Sequence, residues 1–434
     1  MTATISSGGK PARFLFAMFQ GGGNIPLILP VAAQLVARGH HVRVLAGPSI
    51  RGIRLPVSER FRERIATTGA TFVPFQEPDT HPFDEAPSPR GLVVGWKPKR
   101  LVGPTSNVAT LVWAPAWADN VTVDLDRTPT DVLVADHFLL GALAAGEATG
   151  TPSAVLVHGF YKHRPKPGVP PYATGFLPAR DPVSRLRDAL YNAAIQRIYR
   201  RDGLPALNRA RRKVGLPLLR SPFDQYDRAA RVLILASAAL DFPVRRLESN
   251  VRYVGTPFDD AGAAAWDSAW PTDDVRPLVL VSLSTLPQGQ APILQRILTA
   301  IAPLPVRALV TLGPSLDASR FTAPPNVIFR TFVPHASVLP HVTAMVTQCG
   351  MGALMKALAH EIPLVCVPLV GDQPDNAARV VARGAGLRLG PDASPDQIRI
   401  AIRRILDEPS FRDGAAPRND DRHQGRGAHG SRRA

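Results

Sequence analysis

The chain has 434 residues, 45% of them hydrophobic, which exceeds what one hydrophobic core usually organises, so two domains are expected. Its formal net charge of +16 raises nucleic acid or an anionic membrane as partners, but no helix-turn-helix, aromatic stacking or zinc-binding pattern supports nucleic acid. Two cysteines, no signal-peptide pattern and no apolar run near the roughly 20 residues of a membrane span predict a cytoplasmic protein without disulfides or a structural metal.

The first half of the chain alternates predicted strands and helices. A short apolar strand at residues 13–20 (RFLFAMFQ) ends at the glycine loop GGGN, residues 21–24, and Pro26 suits the first turn of the following helix. Further strands are predicted at residues 41–46, 131–135, 154–158 and 231–236. This alternation predicts an α/β fold with a parallel sheet covered by helices on both faces. The GGGN loop lacks the G-x-G-x-x-G spacing, and no acidic residue ends the next strand, which argues against NAD.

A basic helix is predicted between irregular segments in the middle of the chain. Residues 77–105 and 162–182 are rich in Pro, Arg and Lys and are expected to be surface loops. Asp181-Pro182 opens a helix within the basic stretch 185–213. Its apolar residues fall towards one side: Val183, Leu186, Leu190, Ile195 and Ile198. The pattern predicts either a packed helix with a solvated arginine face or a peripheral contact with an anionic membrane.

A second series of strands and helices follows a stretch dense in Gly, Pro, Ala and Asp. Its strands are predicted at residues 278–283, 308–311, 327–330, 344–347 and 364–367. The predicted organisation is an N-terminal domain (1–254), a linker (255–275), a second domain (276–413) and a disordered basic tail (414–434). The acidic pairs Asp259-Asp260 and Asp273-Asp274 are interpreted as polar linker residues rather than metal ligands. Ligands of such sheets bind beyond the carboxyl ends of the strands.

Two motifs of the second series indicate a binding site. Gly350 and Gly352 follow a strand and precede a helix, so their backbone N–H groups could hold an anion at the positive helix end, although such turns also need glycine for conformation alone. Asp372-Gln373 follows the next strand and can hydrogen-bond hydroxyl groups. Together these motifs indicate a phosphorylated polyol, and specifically a nucleotide sugar.

The motifs GGGN, FVPH, QCGMG and GDQPDNA together resemble the UDP-glycosyltransferase-like family of GT-B fold, of the macrolide and natural-product type, over residues 13 to 410. The resemblance implies two facing Rossmann-like parallel-sheet domains with an interdomain cleft. It also implies an inverting, metal-independent transfer of a hexose from a UDP- or dTDP-sugar to a hydroxyl of a lipophilic small molecule. The second domain would bind the donor, and the first would bind the acceptor.

The resemblance assigns roles to residues of this chain. In the second domain, Val333 would border the nucleobase and Ser284 would lie near the phosphates. The turn formed by Gln348, Gly350, Gly352 and Ala353 would hold the diphosphate, and Asp372 and Gln373 would bind the sugar hydroxyls. Four aromatic residues would make the acceptor pocket apolar or belong to the core: Trp96, Trp113, Trp117 and Phe160.

The diphosphate turn departs from the family pattern. Its loop commonly reads His-Gly-Gly-x-Gly followed by Thr or Ser, and this chain has Gln348 and Ala353 at the two ends. Gln348 can still donate a neutral hydrogen bond to phosphate, whereas Ala353 supplies no hydroxyl. We therefore keep a second hypothesis, in which the chain is a nucleotide-sugar-binding auxiliary protein or an impaired homologue. A third hypothesis, a sugar-nucleotide epimerase, predicts sugar conversion without an acceptor.

The acceptor side departs as well. Many family members carry a histidine in the first glycine loop, where it removes the acceptor proton while an aspartate orients it, and Asn24 stands at that place here. An amide is not a useful base at neutral pH. Asp136 matches the orienting aspartate and could itself be the base, or the adjacent His137 could replace the missing histidine. Weaker candidates are His40, His41 and His158.

Overall fold

The structure, a computed structural model, describes residues 10–21, 23–47, 57–79, 108–258, 266–283 and 288–416. These residues form two compact units. The first unit comprises Met1–Pro171, Ala179–Ala236 and Pro243–Pro257, and the second comprises Tyr172–Pro178, Ser237–Phe242 and Phe258–Ala434. Several predicted features lie outside the described residues: Gly22 of the glycine loop, residues 80–105 of the first predicted surface loop with Trp96, the pair Asp259-Asp260, Ser284 and residues 417–434 of the tail.

The first unit is built on a seven-stranded sheet whose described strand pairs are all parallel. The strands are β1 (Arg13–Phe19), β2 (His41–Gly47), β3 (Thr71–Pro74), β4 (Val132–Asp136), β5 (Ser153–Val157), β6 (Arg231–Ile234) and β7 (Val251–Tyr253). Their order across the sheet is β3-β2-β1-β4-β5-β6-β7. Phe16 of β1 lies opposite Val44 on one side and Val134 on the other. All three are buried, as expected for a sheet covered on both faces.

Helices join these strands. They are α1 (Ile25–Ala37), α2 (Glu59–Ala66), α3 (Val108–Val112), α4 (Ala114–Arg127), α5 (Leu140–Ala148), α6 (Pro182–Ile198) and α7 (Leu204–Lys213). A π-helical turn, Tyr199–Gly203, joins the last two, and a 3-10 helix spans Pro222–Arg228. Helices α4 and α5 cross so closely that a Cβ atom on Gly141 would lie 1.9 Å from the carbonyl oxygen of Ala114. Only glycine fits at that crossing.

The apolar side of α6 is only partly packed in the structure. The helix begins as predicted, with the Asp181 side chain accepting from the Ser184 amide in a capping box. However, Val183, Leu186 and Leu190 are exposed, whereas Ile195 and Asp188 are buried. Arg187 neutralises Asp188 through two hydrogen bonds of 2.9 and 2.7 Å. Of the two predicted alternatives, packing of the apolar side therefore holds at Ile195 but not at Val183, Leu186 and Leu190, and the peripheral membrane contact stays a prediction.

The second unit is built on a six-stranded sheet, again parallel in every described pair. Its strands are β8 (Leu278–Ser282), β9 (Arg307–Thr311), β10 (Val327–Arg330), β11 (Ala344–Thr347), β12 (Leu364–Cys366) and β13 (Gly386–Arg388). Their order is β10-β9-β8-β11-β12-β13. Counted from its own first strand, this order matches that of the first six strands of the other sheet. Each unit therefore has the Rossmann-like order 3-2-1-4-5-6.

The helices of the second unit are α8 (Ala291–Ile301), α9 (His335–Val338), α10 (Met351–Ala359), α11 (Gln373–Arg383), α12 (Pro395–Asp407) and α13 (Ser410–Ala415). Short 3-10 turns lie at Ala238–Leu240, Ala318–Arg320 and Leu339–His341. The apolar faces of α8 and α12 belong to the same core as the sheet, in which Ile297, Ile402 and Val281 are all fully buried. Residues 266–274 of the predicted linker also pack in this unit: Trp270 is buried, and Asp274 binds Arg276 and Arg307.

Two short segments that interrupt the sequence of the first unit, Tyr172–Pro178 and Ser237–Phe242, belong to the second unit. The carboxylate of Asp375 on α11 accepts the amides of Ala173 and Gly175 at 2.6 and 2.8 Å. On the same helix, Arg379 binds Asp241 through Nη2 and Nε at 2.6 and 2.8 Å. Both side chains of this pair are buried. The residues of these segments are therefore fixed by charge-assisted hydrogen bonds.

The packed chain continues into the start of the predicted tail. Gly414 and Ala415 are buried, and a Cβ atom on Gly414 would lie 2.2 Å from the carbonyl oxygen of Gly384. The Arg383 guanidinium donates to the carbonyl oxygens of Gly414 and Ala416 at 3.0 and 2.8 Å. Residues 414–416 are thus ordered by small side chains and an arginine rather than by apolar burial.

Candidate functional site

The candidate acceptor site lies where the strand order of the first sheet reverses. Strands β2 and β3 extend to one side of β1, whereas β4 and β5 extend to the other. Ligands of such sheets bind at this switch point, beyond the carboxyl ends of the strands. Three polar residues occupy these ends: Asn24 precedes α1, Asp136 ends β4, and His158 directly follows β5.

Asn24 and Asp136 are joined by a buried hydrogen bond. Asn24 Nδ2 donates to Asp136 Oδ2 at 3.0 Å and to the carbonyl oxygen of Phe19 at 3.1 Å. The other carboxylate oxygen accepts the backbone amide of Phe138 at 3.0 Å. The structure therefore brings together two of the residues predicted for the acceptor side, and the amide of Asn24 donates to the carboxylate.

Two histidines flank the same carboxylate. His137 Nδ1 lies 3.3 Å from Asp136 Oδ1, and His158 Nδ1 lies 3.3 Å from Asp136 Oδ2. The ring centroids of the two histidines are 4.4 Å apart. Both Nδ1 atoms and Asn24 Oδ1 are buried without a well-aligned hydrogen-bond partner among the described atoms. Unsatisfied buried polar atoms are uncommon and often mark a functional site.

The environment separates the charge states of this cluster. Burial would raise the pKa of Asp136, but the neighbouring His158 and His137 outweigh it and hold that pKa well below the usual range of a carboxyl group. Burial, followed by the charge of His158, lowers the pKa of His137 to about 3. At pH 7, Asp136 is therefore a carboxylate and the His137 ring is neutral.

The same cluster has the spacing of a metal site. Ligand atoms of Asp136, His137 and His158 all lie within 4.8 Å of one another. Both carboxylate oxygens already accept N–H groups, from Asn24 and Phe138, and a metal would have to compete with these donors. The absence of a metal stays a prediction.

The other two histidines considered from the sequence lie elsewhere. His40 Nδ1 accepts the amide of Ala12 at 3.2 Å, and its ring packs edge-on against Phe14. His41 is exposed at the first residue of β2. Trp113, Trp117 and Phe160 are all buried.

The candidate diphosphate turn lies at the corresponding switch point of the second sheet, after β11. Cys349 has a positive φ of 67°, and Gly350 is the N-cap of α10. Among the described residues, no side chain caps the first turn of α10, so its N–H groups are available to an anion. Gln348 is buried, and its Oε1 accepts the Thr347 hydroxyl at 3.0 Å, which leaves its amide N–H groups facing Gly350.

Asp372 and Gln373 begin α11 beside this turn, and Asn376 of the same helix donates to the carbonyl oxygen of Cys349 at 2.9 Å. Gln373 is buried, and its Oε1 accepts the amides of Leu369 and Val370 at 2.8 and 3.0 Å. Its Nε2 donates to Gln288 Oε1 at 2.9 Å. Gln373 therefore already uses its amide to fix the turn, whereas Asp372 is partly exposed.

The remaining donor-site candidates surround β8 and α10. Val333 is buried just before α9, and His335 Nε2 of that helix lies 3.3 Å from the Ser282 hydroxyl at the end of β8. Gly352 and Ala353 are partly exposed in the first turn of α10. The donor-binding roles of these residues stay predictions.

Comparison with known proteins assigns the family. The model of the C-terminal domain of erythromycin biosynthesis protein CIII-like proteins matches residues 295–424. The 4'-demethylrebeccamycin synthase of Lentzea aerocolonigenes is 31% identical over 418 residues, which cover 94% of this chain and 95% of that protein. The chain belongs to the UDP-glycosyltransferase-like family of natural-product glycosyltransferases. Demethyllactenocin mycarosyltransferase of Streptomyces fradiae is 32% identical over 174 residues, 38% of each chain.

Solved structures show the fold of this glycosyltransferase. The calicheamicin glycosyltransferase CalG4 aligns with a TM-score of 0.69 and 20% identity over 97% of this chain and 96% of that one. The glycosyltransferase VinC in complex with dTDP aligns with a TM-score of 0.65 and 20% identity over 95% of both chains. The prediction of a GT-B fold with two Rossmann-like domains is confirmed.

Sequence reasoning underestimated His158 in this glycosyltransferase. The residue is 22 positions from Asp136 in the sequence, and only the adjacency of β4 and β5 brings the two together. The available signal was its position: His158 ends a predicted strand (154–158), and Asp136 directly follows another (131–135). In a parallel sheet, such residues lie at the same edge.

Proposed function

We propose that this glycosyltransferase moves a hexose from a UDP- or dTDP-sugar to a hydroxyl of a lipophilic small molecule, with inversion and without a metal. The observation that carries the proposal is the position of the family motifs at the two switch points. The Asn24–Asp136 pair lies at that of the first sheet, and the Gly350 turn lies at that of the second. The second unit would bind the donor, and the first would bind the acceptor.

The donor assignment rests on the chemistry of the Gly350 turn. The N–H groups at the start of α10 and the positive end of its helix dipole favour the binding of a diphosphate. Both would also stabilise the negative charge of the diphosphate leaving group without a metal cation. Asp372 would accept hydrogen bonds from sugar hydroxyls. Two relatives support dTDP as the nucleotide class: VinC and the spinosyn rhamnosyltransferase SpnG, which have both been solved with thymidine diphosphate.

The acceptor assignment rests on the Asp136 cluster. A buried carboxylate held ionised beside two imidazoles can orient a histidine for proton removal from a nucleophile. Direct attack on the anomeric carbon from the side opposite the diphosphate inverts its configuration. The lipophilic acceptor class is supported by the names of the relatives, which refer to demethylrebeccamycin, demethyllactenocin and a spinosyn aglycone.

Calorimetric titration with UDP, dTDP, UDP-glucose and dTDP-glucose tests the donor site. One nucleotide should bind with micromolar affinity, and Asp372→Ala should abolish the added affinity of the sugar while the nucleotide alone still binds. The exposed residue Asp407 on α12 provides a control, Asp407→Ala, that should change neither. Absence of binding to all four compounds would sink the proposal.

Turnover separates the proposal from its two rivals. With the preferred nucleotide sugar and a panel of phenolic and aliphatic acceptors, a transferase releases nucleoside diphosphate only in the presence of an acceptor. Binding without release would favour the auxiliary or impaired protein, and conversion of the sugar without an acceptor would favour an epimerase.

A peripheral contact with an anionic membrane is proposed for α6. Its exposed apolar residues Val183, Leu186 and Leu190 lie on the same helix as the exposed Arg185 and Arg197, the combination that binds at lipid headgroups. No described helix has the length and apolarity to span a bilayer. Vesicles containing phosphatidylserine should sediment the protein at low salt, and Leu186→Glu should weaken this. Failure to cosediment at low salt would remove the proposal.

The cytoplasm is proposed as the compartment, because a chain with only two cysteines is typical of a reducing environment. Fractionation of producing cells should place the protein with cytoplasmic enzymes. Recovery from an extracytoplasmic fraction would contradict this.

A further inference from the structure

We propose that His158 is the general base of the transfer reaction and that Asp136 is the positioning residue which orients it. The inference rests on the proposed transfer to a hydroxyl acceptor and deepens it. It assigns the proton-accepting atom, His158 Nε2, to the residue directly after β5 rather than to the first glycine loop. Asn24, at that loop, then acts as a hydrogen-bond donor to the positioning carboxylate.

The orientation of the His158 ring is the first argument. Its Nδ1 lies 3.3 Å from Asp136 Oδ2 and is buried. A neutral imidazole that donates from Nδ1 to a carboxylate carries its lone pair on Nε2, on the other side of the ring. This is the arrangement in which an aspartate holds a histidine base in the productive tautomer. The separation is long for a hydrogen bond, and catalytic contacts of this kind commonly tighten when substrate binds.

Accessibility is the second argument. The His158 side chain is 11% exposed, whereas those of His137 and Asp136 are 3% and 0% exposed. His158 is thus the member of the cluster that can reach a substrate. Nδ1 is buried, so the exposed part of the ring lies away from the carboxylate.

The neighbours leave the other cluster members less suited to act as the base. Asp136 accepts from the Asn24 amide and from the Phe138 backbone, and both imidazoles face it as well, so its lone pairs are largely used. His137 is covered, and its carbonyl oxygen accepts the Tyr226 hydroxyl at 2.7 Å, which fixes this residue from behind.

A buried carboxylate, a neutral imidazole and an aromatic ring surround the His158 ring. Asp136 and the neutral His137 are the titratable groups beside the ring, and the face of the cluster is completed by the Phe138 ring at 5.4 Å. Lys162 Nζ donates to the His158 carbonyl oxygen at 3.0 Å, so its positive charge lies on the backbone side. The buried carboxylate then stabilises the imidazolium as it forms.

The proton balance of the step is complete. The acceptor hydroxyl gives its proton to His158 Nε2 while an oxygen lone pair forms the new bond to the anomeric carbon. The bond from that carbon to the diphosphate oxygen breaks, and its electron pair leaves with the nucleoside diphosphate. The His158 Nδ1 proton stays directed at Asp136, and the imidazolium later returns its Nε2 proton to water.

The tautomer of His158 tests the assignment without any acceptor. Long-range ¹H–¹⁵N spectra of the protein with labelled histidine, assigned by the signal missing from His158→Gln, should show neutral His158 protonated at Nδ1. Asp136→Asn should shift the ring towards the other tautomer. Protonation of His158 at Nε2 in the unchanged protein would overturn the proposal, because that atom could not then accept a proton.

Kinetics with dTDP-glucose or UDP-glucose and a series of phenols of graded acidity test the role itself. His158→Gln should lower kcat by about 100-fold or more and leave the dissociation constant of the nucleotide unchanged. The decrease in kcat should be smaller with more acidic phenols, because these lose their proton more readily without a base. It should also remove the acid limb of the pH–rate profile. His137→Gln, which alters the same carboxylate from the other side, should keep that limb.

The exposed His41→Gln serves as a control that should retain full activity. If His158→Gln retains the acid limb of the pH–rate profile and lowers kcat by the same factor with every phenol, His158 is structural and the proposal fails. A stoichiometric metal that is lost on His158→Gln would also overturn it. If the unchanged protein binds a nucleotide sugar but transfers nothing, the proposed function fails, and the tautomer measurement still decides the orientation of His158.

Discussion

Asn24 Nδ2 lies 3.0 Å from Asp136 Oδ2 and donates a hydrogen bond to this fully buried carboxylate. The amide satisfies one lone pair of the carboxylate but does not neutralise its charge. The two residues are 112 positions apart and meet because β1 and β4 are neighbours in the sheet. A donor at residue 24 therefore supports the ionised state of Asp136. Its replacement has consequences for stability that depend on pH.

Asn24→Asp keeps the shape of the side chain but places a second carboxyl group beside Asp136. Two buried carboxylates at this distance cannot both ionise, so the pair retains a proton and its apparent pKa rises. We expect a loss of unfolding free energy of about 3 kcal/mol at pH 7. The loss should shrink as pH falls towards 4, because a raised folded-state pKa destabilises only above the unfolded value.

Denaturant unfolding at pH 4.5 and 7.5 measures this dependence. Asn24→Ala is the matched control, because it removes the donor without adding a charge and should cost about 1 to 3 kcal/mol. An Asn24→Asp deficit that is equal at both pH values would show that residue 24 does not act through the charge of Asp136.

The sequence predicted much of the fold because buried parallel strands read as short apolar runs. The predicted strand at residues 41–46 and β2 (His41–Gly47) differ by one residue. The short strands β3 and β13 were not predicted, because three or four residues carry too little pattern and are defined by pairing with a neighbour. Gly386 of β13 shows the tertiary cause: a Cβ atom there would lie 2.0 Å from the carbonyl oxygen of Leu364.

Side-chain partners were harder to predict than strands. Helical periodicity grouped Val183, Leu186 and Leu190 on one face of α6 correctly, but it could not tell which face would be buried. The position of His158 beside Asp136 required the strand order, which follows from crossovers and not from local pattern. The motif residue Gln373 was predicted to bind sugar, and its internal bonds to Leu369 and Val370 became visible only in three dimensions.

The ionisation of Asp375 should lower the stability of the second unit as pH rises. A carboxylate in an ordinary ion pair does the opposite, because its stabilising effect is lost as pH falls. Burial raises its pKa to about 6, although the charge of Arg379 and the hydrogen bonds from the Gly175 and Ala173 amides act to lower it. Between about pH 4 and 6 the folded state holds a proton that the unfolded state has lost, so stability falls as pH rises through this window. A shift of about two units corresponds to about 3 kcal/mol.

Asp375→Asn removes this titration, so its unfolding free energy relative to the unchanged protein should improve by up to about 3 kcal/mol between pH 4 and 7. Unfolding in urea across that range provides the measurement. Asp392→Asn, at an exposed position, controls for the loss of a carboxyl group. A relative stability that stays constant from pH 4 to 7 would show that Asp375 titrates normally.

The buried pair of Asp241 and Arg379 should contribute a large coupling energy. Asp241→Asn leaves the Arg379 guanidinium buried without its carboxylate partner, and breaking such a pair costs about 3 to 5 kcal/mol. Arg379→Met removes the other charge. In the double variant the penalties should be far from additive, with a coupling of about 2 kcal/mol or more in a double-mutant cycle. Additive losses would mean that the two charges do not stabilise each other.

Ala353→Ser should strengthen donor binding. Ala353 is the third residue of α10, in the turn whose N–H groups lack a capping side chain among the described residues. A serine hydroxyl there can donate one more hydrogen bond to a diphosphate oxygen, which is worth about 1 to 2 kcal/mol when the acceptor is charged. We therefore expect the dissociation constant of the preferred nucleoside diphosphate to fall by about 5- to 30-fold, since 1.4 kcal/mol is a factor of ten.

Calorimetry with the nucleoside diphosphate and with the nucleoside alone separates the phosphate effect from general changes. The gain should appear only with the diphosphate, because the nucleoside offers no oxygen to the new hydroxyl. Ala359→Ser, at the exposed last residue of the same helix, should change neither affinity. An equal affinity of Ala353→Ser and the unchanged protein for the diphosphate would mean that the phosphates do not reach the first turn of α10, and the assignment of this turn to the donor would have to be abandoned.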